Sequence, residues 1–184
     1  GCLQAHALDL IGDRWALLLV RELILGPRRF SELREGLPGI SANVLTQRLE
    51  GLEEVGALIK HKLPPPASAQ VYELTEWGYE AEPIFQTLGR WAARSPRHDP
   101  TLPFSAASLF LSFRTMFDAG RAGDLAAKIG FRVGPHAYRV TIDHGRLTAA
   151  RGEIGDAGLI FEGAAPVLAA VVYGGQPIAA MEAE

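Results

Sequence analysis

Asn43, Thr46, Gln47 and Arg48 lie close together in a stretch with helical periodicity. Their side chains are the kind that grip base edges. An amide can pair with an adenine edge, and a guanidinium can read guanine or hold a phosphate. The carboxylates follow later in the same stretch, at Glu50, Glu53 and Glu54. A helix presenting its N-terminal turns to a DNA major groove would want this gradient, since its dipole favours phosphate at that end and late carboxylates stay clear of the backbone. Ser41 precedes the stretch, and two basic spots flank it: Arg28 with Arg29, and Lys60-His61-Lys62. Any one of these charges reads equally well as ordinary solvated surface. Together around one helix they favour contact with double-stranded DNA through Arg28, Arg29, Ser41, Asn43, Thr46, Gln47, Arg48, Lys60 and Lys62. The net charge of −3 offers no diffuse positive field, so local placement has to carry that contact.

A second set of residues could hold something apolar. Phe104, Phe110, Phe113, Met116 and Phe117 form a stripe whose latter part has helical spacing. It either lines a pocket for an apolar small molecule or lipid, or fills a solid core. Enzyme chemistry is not expected: there is no nucleophile elbow, no phosphate-cradling glycine loop and no His-Glu pair at zinc-ligand spacing. Neither a cofactor nor a metal is expected. No apolar run reaches the roughly 18 to 20 residues of a membrane helix, and a single cysteine excludes an internal disulfide, so a cytoplasmic location is expected.

The elements that must position these residues can be placed from capping and periodicity. Asp13 caps a largely apolar helix from Arg14 to about Leu25, closed by Gly26-Pro27. A short helix follows Ser31 and stops at Pro38-Gly39. Ser41 caps a helix from Ala42 to about Val55. The alternating segments Leu58 to Leu63 and Val71 to Leu74 flank a proline-rich loop, as in a β-hairpin. Thr75 caps a further helix continuing through Trp91. The linker Ser95 to Pro100 separates this half, 1–95, from a second, 101–184, with a helix from Ala106 to Phe117, four strands and a helix between Pro166 and Gly174. The fold class is α+β: a winged helix-turn-helix followed by a small antiparallel sheet covered by helices.

Several strings resemble the HxlR-type winged-helix family of bacterial regulators: Leu8 to Trp15, Gly26 to Leu33, Pro38 to Ser41, Leu45 to Leu49 and Tyr72 to Thr75, in the family's order. The resemblance implies a cytosolic homodimeric DNA-binding transcription regulator, and two reading helices related by a two-fold would then meet a near-palindromic operator. It implies that the terminal helices of the domain form the dimer interface, the helix after Ser41 reads DNA, and Lys60 to Gln70 is the wing. It also draws attention to Cys2. Relatives often carry Cys-Pro there, and some use that cysteine to sense oxidants or electrophiles, but here Leu3 replaces the proline. Cys2 is either a redox sensor or a spectator. From about Leu102 onward the chain resembles a sterol-carrier-protein-like domain, which implies an apolar tunnel and a further strand beyond Glu184, so the chain is truncated or departs from that pattern. The rival to DNA regulation is a hydrophobic-ligand carrier that uses its winged helix to bind protein.

Overall fold

Helix caps explain most of the first half of the chain. The computed structural model describes residues 1–99, 101, 102 and 104–181, so Pro100 of the expected linker and the last three residues of the expected second domain lie outside the described residues. Two compact units result, Gly1–Thr87 and Leu88–Glu184.

In the first unit, α1 (Leu3–Ile11) precedes α2 (Arg14–Leu23). Asp13 starts α2 by accepting from the Trp15 and Ala16 amides at 2.9 and 3.3 Å, two donors a helix cannot satisfy internally. Leu19, Val20 and Leu23 on α2 are fully buried, as expected for a central helix. α3 (Phe30–Gly36) begins one residue before Ser31 because Glu32 reaches back to the Arg29 amide at 2.7 Å. Ser41 caps α4 (Ala42–Glu54) through the Val44 amide, and α4 buries Leu45, Leu49 and Leu52. The strands β1 (Leu58–Lys62) and β2 (Gln70–Leu74) pair antiparallel, Leu58 opposite Leu74 and Lys62 opposite Gln70. Arg28 adds a bridge to Tyr72 beside this hairpin.

One expectation needs revision here. The helix capped by Thr75 does not run unbroken to Trp91: it splits into α5 (Glu76–Tyr79) and α6 (Glu82–Ala92). Pro83 is the cause, since it has no N–H to give and its ring opposes the carbonyl four residues earlier. Trp91 is 73% exposed, and with Ile84 and Leu88 it forms an apolar stripe along α6. The helix α1, ahead of the first one expected, carries no buried residue at all.

The second unit contains α7 (Ala106–Met116), α8 (Ala119–Ala122), β3 (Ala127–Val133), β4 (His136–Asp143), β5 (Arg146–Arg151), β6 (Leu159–Glu162), α9 (Ala165–Val172) and α10 (Ile178–Met181). β3, β4 and β5 form an antiparallel meander. Asp143 pairs with Arg146 across His144-Gly145, both at positive φ, the tight turn that matches strand twist. The sheet order is β5-β4-β3-β6, and β6 runs parallel to β3, so the sheet is mixed and not purely antiparallel. The reason is the connection 152–158, which carries the chain from one edge of the sheet to the other. It crosses at Gly130, where Ile154 occupies the space a side chain would fill. Alternation then sorts the sheet's faces. Phe131, Val133, Tyr138, Val140 and Ala149 are buried, whereas Lys128, Arg132, Arg139 and Thr148 face solvent.

Candidate functional site

The exposed part of α4 is polar and uncharged over its first turns. Asn43, Thr46 and Gln47 all face solvent, as does Ser41, whose hydroxyl accepts from the Val44 amide. Leu45 and Leu49 pin the opposite side of the helix to the core. The carboxylates Glu50, Glu53 and Glu54 are exposed toward the other end. Arg29 is exposed at the start of α3, and Lys60 and Lys62 are exposed on β1. Residues two apart on a strand share a face, so the two lysines project together. The Lys60 ammonium sits 5.7 Å from the centre of the Tyr72 ring, which steadies it against the hairpin.

Three residues are placed differently from expectation. Arg28 is only 4% exposed, because its backbone exchanges hydrogen bonds with Tyr72 at 2.9 and 2.8 Å and so draws the residue against the hairpin. Its guanidinium is not presented to a phosphate. His61 pairs with Glu73 at 2.7 Å, which removes it from the basic spot at the wing. Arg48 is half-exposed and forks onto Asp13, with Nε to Oδ1 at 2.8 Å and Nη2 to Oδ2 at 3.1 Å. It ties α4 to the start of α2. That partnership was invisible in the sequence, where the two residues are 35 positions apart and nothing local couples them. Burial pushes the Asp13 carboxyl up, but Arg48 and the Ala16 and Trp15 amides outweigh it and hold the group below the ordinary carboxylate range. Cys2 is exposed, and its thiol donates to the Gln4 side-chain oxygen at 3.2 Å.

A family profile described as HxlR-like helix-turn-helix matches residues 10–99. The chain is 36% identical over 86 residues to the HTH-type transcriptional regulator YvaP of Bacillus subtilis (strain 168), covering 47% of this chain and 80% of that relative. The chain belongs to the HxlR-like helix-turn-helix family of transcriptional regulators. A second relative, the HTH-type transcriptional regulator YodB of the same organism, is 37% identical over 86 residues, 47% of this chain and 77% of its own length. The solved reduced form of YodB from B. subtilis superimposes with a TM-score of 0.48 at 34% identity, covering 54% of this chain and 99% of that one. In this HxlR-like chain α3 and α4 are the helix-turn-helix pair, and the β1–β2 hairpin is the wing.

The second unit holds a cavity of about 380 Å³ bordered by α7, α9 and the inner face of the sheet. Phe113, Met116 and Phe117 of the aromatic stripe line it. Phe110 does not: it is fully buried and stacks on Tyr138, ring centres 4.2 Å apart, as solid core. Phe104, half-buried ahead of α7, is not part of the lining either. The stripe thus divides by depth, something spacing alone could not reveal. Sequence reading missed the residues that α9 and the strands contribute, among them Leu168, Phe161 and Tyr173. Among the described residues no group of His, Cys, Asp and Glu is arranged to hold a metal, and no helix is long and apolar enough to cross a membrane.

Proposed function

We propose that the protein regulates transcription as a homodimer that reads a near-palindromic operator, with α4 of each protomer in the major groove and the wing on the backbone. The observation that carries this reading is the uncharged face of Asn43, Thr46 and Gln47 on the early turns of α4. Arg29 at the start of α3 and Lys60 and Lys62 on β1 are exposed on the elements that precede and follow α4 in the chain. In this reading the amides take base edges, Ser41 and the cations take phosphates, and Arg48 holds the reading helix through Asp13. Dimer formation is supported by the apolar surface on two helices: Ile84, Leu88 and Trp91 on α6, and Leu3 and Leu8 on α1, all exposed in a single chain. Apolar stripes of this kind mark interaction surfaces. The cavity in the second unit takes an apolar small molecule whose binding modulates operator affinity.

The test is genome-wide DNA selection with the purified full chain, followed by titration of the enriched sequence. Half-sites should lie about one helical turn, roughly 34 Å, apart. Gln47→Ala should cost about 1 to 3 kcal/mol for the preferred base at one position per half-site. Selection that enriches no sequence above random, or a Gln47→Ala protein with unchanged base preference, would overturn the reading.

A further inference from the structure

The chemistry of the cavity wall specifies what the molecule inside must look like. Its lining is nearly all hydrocarbon: aliphatic side chains and phenylalanines from α7, α9 and the sheet. Among the described residues no lysine, arginine or histidine borders it. One charged residue does, Glu162, but in register it lies opposite Arg132, and the two side chains meet at 3.8 Å. Strand alternation puts that pair on the outer face of the sheet, the face opposite Phe161 and Phe131. An anion inside the cavity would therefore find no compensating charge, and burying an unpaired carboxylate is strongly disfavoured.

Besides Glu162, the polar side-chain group at the wall among the described residues is the Tyr173 phenol, about half-exposed at the rim. Its hydrogen is already committed. Ser112 has one hydroxyl hydrogen and donates it to the Leu109 carbonyl oxygen at 2.7 Å. The 2.7 Å contact between the Ser112 and Tyr173 hydroxyls then requires Tyr173 to be the donor. What the Tyr173 oxygen has left to offer is lone pairs. Burial also pushes this phenol above its ordinary pKa, so it stays neutral.

We propose that the cavity selects an uncharged apolar molecule whose polar end is a hydrogen-bond donor, such as a medium-chain alcohol, and rejects the carboxylate of the same chain length. A carboxylate brings both a charge the wall cannot answer and acceptors where the wall offers only acceptors. The volume sets the scale, at roughly a dozen groups the size of a water molecule. This inference rests on the cavity being a ligand site, as proposed above.

The experiment uses the full chain and the fluorescent apolar probe N-phenyl-1-naphthylamine, displaced by decanol or by decanoate at neutral pH. Decanol should displace the probe at least about tenfold more effectively than decanoate, a difference of about 1.4 kcal/mol. Met116→Lys puts a cation at an exposed position of the wall and should narrow that ratio to below about threefold. Val171→Trp should fill the cavity and remove probe binding, with retention of a cooperative melt and of native circular dichroism reporting that the chain is folded. If the wild type does not bind the probe, or Val171→Trp binds it as well, the ligand site itself is overturned. If the probe binds and decanoate competes as well as decanol, or Met116→Lys leaves the ratio unchanged, the site stands and the selectivity is overturned.

Discussion

The Asp13 carboxylate does two things at once: it caps α2 through the Trp15 and Ala16 amides, and it receives the Arg48 guanidinium of α4 in a two-point fork. The orientation of α4 is thereby tied to the first turn of the most buried helix in the unit. Asparagine caps helices about as well as aspartate, whereas alanine forfeits about 1 kcal/mol. Asp13→Asn should therefore keep the cap and lose the charge on the fork. It should be more stable to urea than Asp13→Ala, yet both should lose operator discrimination to a similar degree. Discrimination in Asp13→Asn equal to wild type would show that the fork does not position α4.

The same carboxylate sets a pH dependence with a definite sign. Its folded pKa lies below the ordinary value, because the Arg48 and amide hydrogen bonds together outweigh burial. The stabilisation is thus fully present above the unfolded value of about 3.9 and is lost as pH falls through the lower folded value. The difference in urea midpoint between wild type and Asp13→Asn should stay constant from pH 5 to 8 on the order-of-magnitude expectation for one such carboxylate, then shrink below about pH 4. A difference that widens on acidification would contradict the assignment.

Two glycines should respond to alanine in opposite directions. Gly78, buried in α5, has the Ala57 carbonyl oxygen and Leu74 against the place a side chain would occupy. Gly78→Ala should cost about 1 to 3 kcal/mol, since backbone rather than a flexible side chain would have to yield. Gly51, in the exposed face of α4, has open space there. Gly51→Ala should stabilise by up to about 1 kcal/mol through helix propensity alone. Denaturant unfolding of the two variants reads both signs directly.

These positions mark where sequence reading succeeds and where it stops. Asp13, Ser41 and Thr75 were legible as caps because their signal is local: an oxygen that reaches an amide two or three residues on. The exposed amides of α4 were legible because a 3.6-residue period with Leu45 and Leu49 inward leaves Asn43 and Gln47 outward. The burial of Arg28 was not legible, because it depends on a bridge to Tyr72 far along the chain. The parallel pairing of β6 depends on Ile154 crossing over Gly130, a contact with no local signature. The aromatic stripe announced an apolar interior without saying which rings would be filled core and which would face a cavity. Phe110 and Phe113 are three residues apart on one helix and differ in just that respect.

The wing lysines give the test that separates gripping from reading. Lys60 and Lys62 are exposed on one face of β1, and Lys60 is steadied over Tyr72. Among the described residues neither forms a contact with a carboxylate like that of His61 with Glu73 on the same hairpin. A lysine is a point charge on a flexible stem, suited to a phosphate and poorly suited to choosing among bases. Lys60→Ala with Lys62→Ala should weaken binding to all DNA sequences alike and leave base preference intact. Each phosphate contact contributes a slope of about 0.9 in the logarithm of affinity against the logarithm of salt, so a dimer losing both lysines from each protomer should flatten by up to about 3.6. With a net charge of −3 per chain, no general attraction replaces the lost contacts. Titrations of operator and random DNA between low and moderate salt measure both quantities together. A double variant that loses base preference but keeps its salt slope would reverse the roles assigned to the wing and to α4.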